Sequence, residues 1–540
     1  MNKRYKARVI FIFLVFCLLY FVILFNLYLI QVKQNDFFKN LGNQQYNVTV
    51  SRYPARAEIF DRTGQPLALN KDFLSAFIMP KQLTEKEKLE SFLKRNYTLA
   101  YKRLQKTKHQ KNFMFIKRKL SNKDLEIIKT AGLKDIKFLK ERGRFYPHQS
   151  VAQLVGLTDI DNKGLFGIEL LYNDQLGGEP AVYSLAKDAR SGHFHFKKET
   201  QKKGESGKPV HLTIDSTLQF LALQELADTI NDWNAKEGSV VVMNPQTGQI
   251  LVMASAGAST DNPLEAQKNK PVTDCYECGS IAKTFAALAA LEDGVVTIDE
   301  KIDCGGSKTS YVDGRTVNTL VAHGILSFSE VVELSNNIGI AKVAKRLENK
   351  LYDHYKKLGF GKKTNIEFPG EQAGFVNNPS NWSKQSLISL SYGYEMNCTL
   401  LQIAQAFCLI ARDGHPVQPQ LILGHKTKNQ PTKPLYKKET IDSIKHILEN
   451  TALRGTAKRT NIKGYRVMSK TGTANLLVNG QYSPDHNIYT CAGIVEKDGY
   501  QRVIVTFVKE AQKDNAYAST VAAPLFKKVA QKVLIHDKIV

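Results

Sequence analysis

At 540 residues the chain is too long for one hydrophobic core and suggests roughly two to four domains. Its hydrophobic share of 43% with no low-complexity tract excludes a disordered or fibrous protein. The net charge of +24 points toward anionic surfaces or polymers rather than basic partners.

The first element is an apolar run. Val9 to Phe25 is unbroken, and after Asn26 it resumes as Leu27-Tyr28-Leu29-Ile30. That is about long enough to cross ~30 Å of hydrocarbon at ~1.5 Å per residue. Gln31-Val32-Lys33-Gln34 follows and offers no small-residue cleavage site, so the run reads as an uncleaved anchor. Lys3, Arg4, Lys6 and Arg8 precede it. The positive-inside rule keeps residues 1–8 cytoplasmic, makes 9–30 the membrane span and sends the rest outside as a single-pass protein. Nucleic acid is not an expected partner there. Tyr101 to Lys119 carries eight Lys/Arg and no acid, a basic face suited to solvent, to lipid headgroups or to an anionic polymer.

Residues 31 to about 205 mix short strand-like runs with basic helical stretches. Ala57-Glu58-Ile59-Phe60 precedes the turn Asp61-Arg62-Thr63-Gly64, and Asn122 to Gly132 reads as a helix. The polar stretch Lys202 to Pro209 has linker composition and sets the domain expectation at 31–207 and 208–540. Beyond it, Ser239–Met243 and Gln249–Met253 read as strands around a turn-rich Asn244 to Gly248. An Ala/Leu-rich helix runs from Ala282 to Leu291 and stops by Gly294. A mostly helical middle extends to about 415. Ile488–Val495 and Arg502–Val508 read as paired strands, and a closing helix spans about Ser519 to Leu534. Strands at both ends with helices between predict an α+β domain whose sheet is closed by distant segments.

Three short motifs carry chemistry in one order. They are Ser280-Ile281-Ala282-Lys283, Ser335-Asn336-Asn337 and Lys470-Thr471-Gly472-Thr473. Ser-x-x-Lys alone is weak, since it recurs at Ser91–Lys94 and Ser184–Lys187 without companions. Together the three read as acyl transfer by a serine nucleophile and a lysine base. At the start of a helix, residues three apart share one face, and the macrodipole favours an anionic oxygen there. A lysine serves as base only when desolvation or another cation depresses its pKa, and Lys470 is the candidate cation. A serine and an amide two apart can relay a proton and grip a substrate amide. Lysine and threonine hydroxyls suit a carboxylate, and Gly472 removes a side chain where a ligand can lie along a strand.

Seven cysteines occur: Cys17 in the anchor, then Cys275, Cys278, Cys304, Cys398, Cys408 and Cys491. The last six suit three disulfides in an exported domain. Cys275-x-x-Cys278 reads as a redox or metal pair, although no second pair stands at zinc spacing. Cys408 lies in an apolar helical stretch and reads as a buried thiol.

Taken with these motifs, the chain resembles class B penicillin-binding proteins, membrane-anchored D,D-transpeptidases of the cell wall. Arg56 to Gly64, Arg144-Phe145-Tyr146-Pro147, Gly156-Leu157-Thr158-Asp159 and Gly167-Ile168-Glu169 resemble the boxes of that family's pedestal domain. Leu212 to Asp215, Ala254-Ser255, Tyr276 to Ser280 and Ser391-Tyr392-Gly393-Tyr394 resemble its transpeptidase domain. The resemblance implies an elongated pedestal at 31–207. It implies a penicillin-binding domain at 208–540 with a serine β-lactamase-like antiparallel sheet flanked by helices. It also implies catalytic roles. Ser280 would attack the penultimate D-alanine of a stem pentapeptide and Lys283 would be the acylation base. Ser335 would shuttle a proton, Asn337 would bind the donor amide, and Lys470 would support the electrostatics. Thr471, Gly472 and Thr473 would line the substrate carboxylate, and the backbone N–H groups of Ser280 and Thr473 would form the oxyanion hole. Expected partners are stem peptides derived from lipid II, β-lactams as covalent inhibitors, and a polytopic glycan polymerase and other division proteins met through anchor and pedestal. No cofactor or metal is expected. Ala57 and Cys278 depart from the family pattern, which usually has glycine and proline there. Cys278 reads as a small replacement or as a redox-sensitive or disulfide-bonded thiol. The division-type enzyme fits best. The elongation type is the alternative, with a β-lactam-hydrolysing or sensing protein and an inactive division scaffold behind it.

Overall fold

A computed structural model describes residues 3–106, 111–187, 194–257, 268–424 and 433–539. Part of the basic stretch, 107–110, lies outside the described residues. The chain divides into two compact units, one of residues 1–56 with 177–208 and the other of 57–176 with 209–540.

In the first unit, helix α1 (Lys3–Tyr28) carries the apolar run, continued by a π-helical turn at Leu29–Lys33. The candidate span covers Arg4–Lys33, with none of it buried in protein, as a lipid-facing helix requires. At ~1.5 Å per residue its 30 residues exceed the hydrocarbon thickness. A second helix, Asn35–Tyr46, leads into a three-stranded antiparallel sheet of Asn47–Arg52, Ala181–Lys187 and Phe194–Lys202.

In the second unit, a long strand Pro66–Ile78 pairs antiparallel with Lys137–Phe145 and Met114–Lys117. The helices Lys86–Asn96, Thr98–Lys106 and Asn122–Ala131 accompany them, and Leu89, Leu93, Leu104 and Ile128 join Ala76 and Ile78 in a small core. The expected helix at 122 starts at a reciprocal Ser121–Asp124 capping box and ends at a left-handed Gly132. The Asp61 turn does more than reverse the chain. Its carboxylate accepts from Thr63 N and Gln65 N at 2.8 Å and from Ser216 Oγ at 2.6 Å. Ser216 opens helix α2 (Ser216–Trp233), whose N-cap Asp215 accepts from Thr217 N and Leu218 N.

The same unit holds the five-stranded sheet that positions the site. Its strands are β1 (Glu237–Met243), β2 (Ile250–Gly257), β3 (Arg466–Val478), β4 (Gln481–Lys497) and β5 (Tyr500–Lys509), in spatial order β2-β1-β5-β4-β3. Every pairing is antiparallel, and β1 meets β5 from Met243↔Val503 to Glu237↔Lys509. Two residues of period separate the two faces. Val240, Val242, Ile504 and Val508 pack with Leu226 of α2 and with Phe526 and Val529 of the closing helix α8 (Ala522–His536). Val241, Met243, Val505 and Phe507 face a large helical lobe. Before α8, that lobe is built from α3 (Ala282–Glu292), α4 (Phe328–Glu333), α5 (Asn337–Ala344), α6 (Leu400–Ala411) and α7 (Lys438–Leu453). Helix α3 is buried on all sides from Ala282 to Ala290, as an Ala/Leu helix without a polar face must be. The α+β expectation and the sheet made from distant segments both hold. Strand β3 runs from Arg466 through the polar Lys470–Thr473 to Val478.

Candidate active site

The three motifs converge. Gly279–Ile281 forms a tight 3-10 turn leading into α3, so Ser280 sits just ahead of the helix and Lys283 in its first turn. This turn packs against β3, the edge strand of the sheet. A Cβ on Gly472 would stand 2.8 Å from Cys278 O and 2.8 Å from Ile281 Cγ1. The missing side chain at Gly472 therefore admits the nucleophile turn against the strand.

Ser335 and Asn337 are set by the residue between them. The Asn336 side chain caps α5 by accepting from Gly339 N at 2.9 Å. Ser335 then closes the α4–α5 connection with φ of 57°, a left-handed conformation that a side-chain-bearing residue adopts only when its surroundings enforce it. Here Ser335 N donates to Val332 O and Asn336 N to Val331 O.

Two fully buried lysines meet at that serine. Lys283 Nζ lies 2.6 Å from Ser335 O, 2.5 Å from Asn337 Oδ1 and 3.0 Å from Ser335 Oγ. Lys470 Nζ donates to the same Ser335 Oγ at 3.0 Å and to Thr471 O at 3.1 Å. Asn337 Nδ2 is held by Asn318 O at 2.6 Å. Burial drives the Lys283 pKa well below the ordinary lysine range, and the Lys470 charge lowers it further. Burial alone brings Lys470 down to about 7. A neutral amine has two N–H groups and one lone pair. Ser335 O and Asn337 Oδ1 take the two protons of a neutral Lys283, which leaves the lone pair for a hydroxyl.

Strand β3 supplies the opposite wall. Asn475 N donates to Tyr394 Oη at 3.4 Å across the free edge, and amides two residues apart on a strand point the same way. The Thr473 N–H therefore faces the cleft too. Thr473 Oγ1 accepts from Ala518 N at 3.1 Å, and Thr471 Oγ1 donates to Thr456 Oγ1 at 3.2 Å.

The competing Ser-x-x-Lys copies have no such setting. Ser91 and Lys94 are exposed on the helix Lys86–Asn96, and Ser184 lies on a strand of the first unit. The disulfide expectation is corrected, since all seven cysteines are free thiols. Cys304, Cys408 and Cys491 are buried in separate places: beside Gly339, within α6, and opposite Thr471 on β4. Cys278 is 3% exposed, with Sγ 3.9 Å from Met396 Sδ, and its thiol hydrogen-bonds that of Cys398. Burial pushes Cys275 up to about 11. Among the described residues no group of three His, Cys, Asp or Glu side chains is arranged to hold a metal ion. The motifs missed Thr456, Asn318 and Ala518. Each lies in an unremarkable polar or alanine-rich stretch and acts through one hydroxyl or one backbone group.

Two family models match: the penicillin binding protein transpeptidase domain over residues 238–531 and the penicillin-binding protein dimerisation domain over 51–212. The chain is 30% identical over 524 residues to a probable peptidoglycan D,D-transpeptidase PenA of Neisseria meningitidis, covering 93% of this chain and 88% of the relative. It is 27% identical to the peptidoglycan D,D-transpeptidase FtsI of Escherichia coli, with 93% and 86% covered. A crystal structure of penicillin binding protein 3 from Mycobacterium tuberculosis, complexed with aztreonam, superposes with a TM-score of 0.68 at 23% identity, covering 91% and 98%. The chain belongs to the penicillin-binding protein transpeptidases, in class B. It is a penicillin-binding serine transpeptidase with an N-terminal apolar helix fit to cross a membrane once.

Proposed function

We propose that this transpeptidase crosslinks peptidoglycan stem peptides through a Ser280 acyl-enzyme, in septal wall synthesis at cell division. One observation carries the reading: two buried lysines of depressed pKa share the Ser335 hydroxyl beside the turn that bears Ser280. Neutral Lys283 takes the Ser280 proton while Oγ attacks the carbonyl of the donor's penultimate D-alanine. The oxyanion is met by the N–H groups of Ser280 and Thr473. As the C–N bond breaks, the proton passes from Lys283 through Ser335, with Lys470 holding the hydroxyl in line, to the departing D-alanine amine. Asn337 holds the donor amide, and Thr471 and Thr473 hold its carboxylate. An amine of a neighbouring stem then attacks the ester and restores Ser280. A β-lactam enters the same first step and remains bound, because its acyl-enzyme keeps its own leaving amine.

The basic residues Lys3, Arg4, Lys6 and Arg8 before the apolar run support a cytoplasmic N-terminus with the catalytic domain outside. Residues 31–207 then serve as pedestal and 208–540 as the transpeptidase domain, with anchor and pedestal meeting a polytopic glycan polymerase and other division proteins. A fluorescent penicillin tests the chemistry: the full chain takes up stable label and Ser280→Ala takes up none. Rapid loss of label indicates a hydrolase, and no label at Ser280 indicates a scaffold. A fluorescent fusion tests the place, with mid-cell expected and a side-wall pattern assigning it to elongation.

A further inference from the structure

Thr471 and Thr473 are alike in sequence and unlike in their surroundings. A threonine hydroxyl has one proton to give and lone pairs to fill. At Thr473 one lone pair is filled by the Ala518 amide at 3.1 Å, and among the described residues nothing takes its proton, which is left for the cleft. At Thr471 the proton is spent on Thr456 Oγ1 at 3.2 Å. A carboxylate only accepts, so Thr471 can hold one only by turning its proton away from Thr456. That turn strips Thr471 of a partner unless Thr456 reverses and donates back.

Thr456 is held in place by its backbone. Its backbone N donates to Glu333 O at 3.2 Å, and the next residue's N donates to Thr451 O at 3.1 Å. The approach is so close that a Cβ on Gly455 would stand 2.4 Å from Glu333 O. Glu333 is two residues before Ser335. Its buried carboxylate accepts from Ser329 Oγ at 2.5 Å, Asn450 Nδ2 at 3.0 Å and Arg454 Nε at 3.0 Å. The end of α7 is thus clamped to the end of α4, and the Thr456 hydroxyl is delivered to β3 as a consequence.

We propose that Thr456 is a positioning residue for the donor's terminal carboxylate: its hydroxyl accepts from Thr471 in the empty site and donates to Thr471 once the carboxylate takes the Thr471 proton. The inference rests on the acyl-transfer reading above and adds a determinant of donor specificity outside the three motifs. It makes the carboxylate grip a two-hydroxyl relay. Hydrogen bonds in series polarise one another, so the second hydroxyl strengthens the first.

The test uses the full chain in detergent and two thioester donors, one ending in a free carboxylate and one in the corresponding methyl ester. Thr456→Val keeps the shape and removes the hydroxyl. Thr456→Ser keeps the hydroxyl. In Thr456→Val, kcat/KM for the carboxylate donor is expected to fall about tenfold, mostly through KM, with the ester donor unchanged. Thr456→Ser is expected to restore the preference. Equal losses for both donors, or an intact carboxylate preference in Thr456→Val, would overturn the relay while leaving acyl transfer by Ser280 standing. Wild-type protein that forms no acyl-enzyme with either donor would overturn both readings together.

Discussion

Replacing Lys470 by methionine isolates the electrostatic partnership of the two lysines. Each Nζ is 3.0 Å from Ser335 Oγ, so the two nitrogens are at most about 6 Å apart. At an effective dielectric of about 20, two unit charges at that separation repel by about 3 kcal/mol, equivalent to about two pH units. Both side chains are fully buried, so water screens the repulsion little. Removing Lys470 lets Lys283 keep its proton to higher pH. The active form is the neutral amine, so the acidic limb of the acylation profile should move upward by about two pH units. The second-order rate of labelling by a fluorescent penicillin, measured from acid to alkaline pH, reads this directly. A lost contact to ligand would lower the plateau without moving the limb. A limb at the same pH in Lys470→Met would refute the claim that repulsion helps keep Lys283 neutral.

The stability of the folded protein should carry the same signature. Lys470 has its pKa lowered from the ordinary 10.5 to about 7, so between those values the unfolded chain binds more protons and stability rises with pH. Denaturant titrations of Lys470→Met should lack this part of the slope, and an unchanged slope would count against the low value. Gly472→Ala puts a methyl group against Cys278 O and Ile281, and a cost of about 1–3 kcal/mol is expected, with acylation slowed at least about tenfold. Wild-type labelling by that variant would mean the turn has room to spare. In the pedestal region, Arg144 Nε donates to Glu169 Oε1 at 2.6 Å with both side chains almost fully buried. Glu169→Ala should destabilise by about 3–5 kcal/mol in urea titrations, because a guanidinium is left buried without its carboxylate. A loss under about 1 kcal/mol would show that water reaches Arg144.

The site was more legible in the sequence than its supports. Ser280 stands just ahead of an Ala/Leu helix and Lys283 three residues on in its first turn, a local pattern that survives folding. The strand that carries Lys470 to Thr473 is polar over that stretch and shows no alternating apolar pattern. Those polar residues are buried strand because they line a cleft, which periodicity alone does not reveal. The cysteines failed for a different reason. Composition counts thiols and says nothing of where they go, and Cys304, Cys408 and Cys491 are carried to separate positions in the core. Thr456 was invisible because its role depends on an approach between α7 and α4 that no local pattern encodes.

The order of strands in the central sheet also sets a schedule. The pairing of β1 with β5 joins Glu237 to Lys509, residues separated by most of the catalytic half of the chain. The β1–β2 hairpin emerges early and stays without its neighbour until the last segment of the chain arrives. Closing so long a loop is slow, though its entropy grows only gently with length. Lys470 belongs to that late segment and Ser280 to the early one. The nucleophile is therefore made long before the strand that completes its surroundings. A chain that has reached Ser280 but not Lys470 carries the serine without the strand that completes its site.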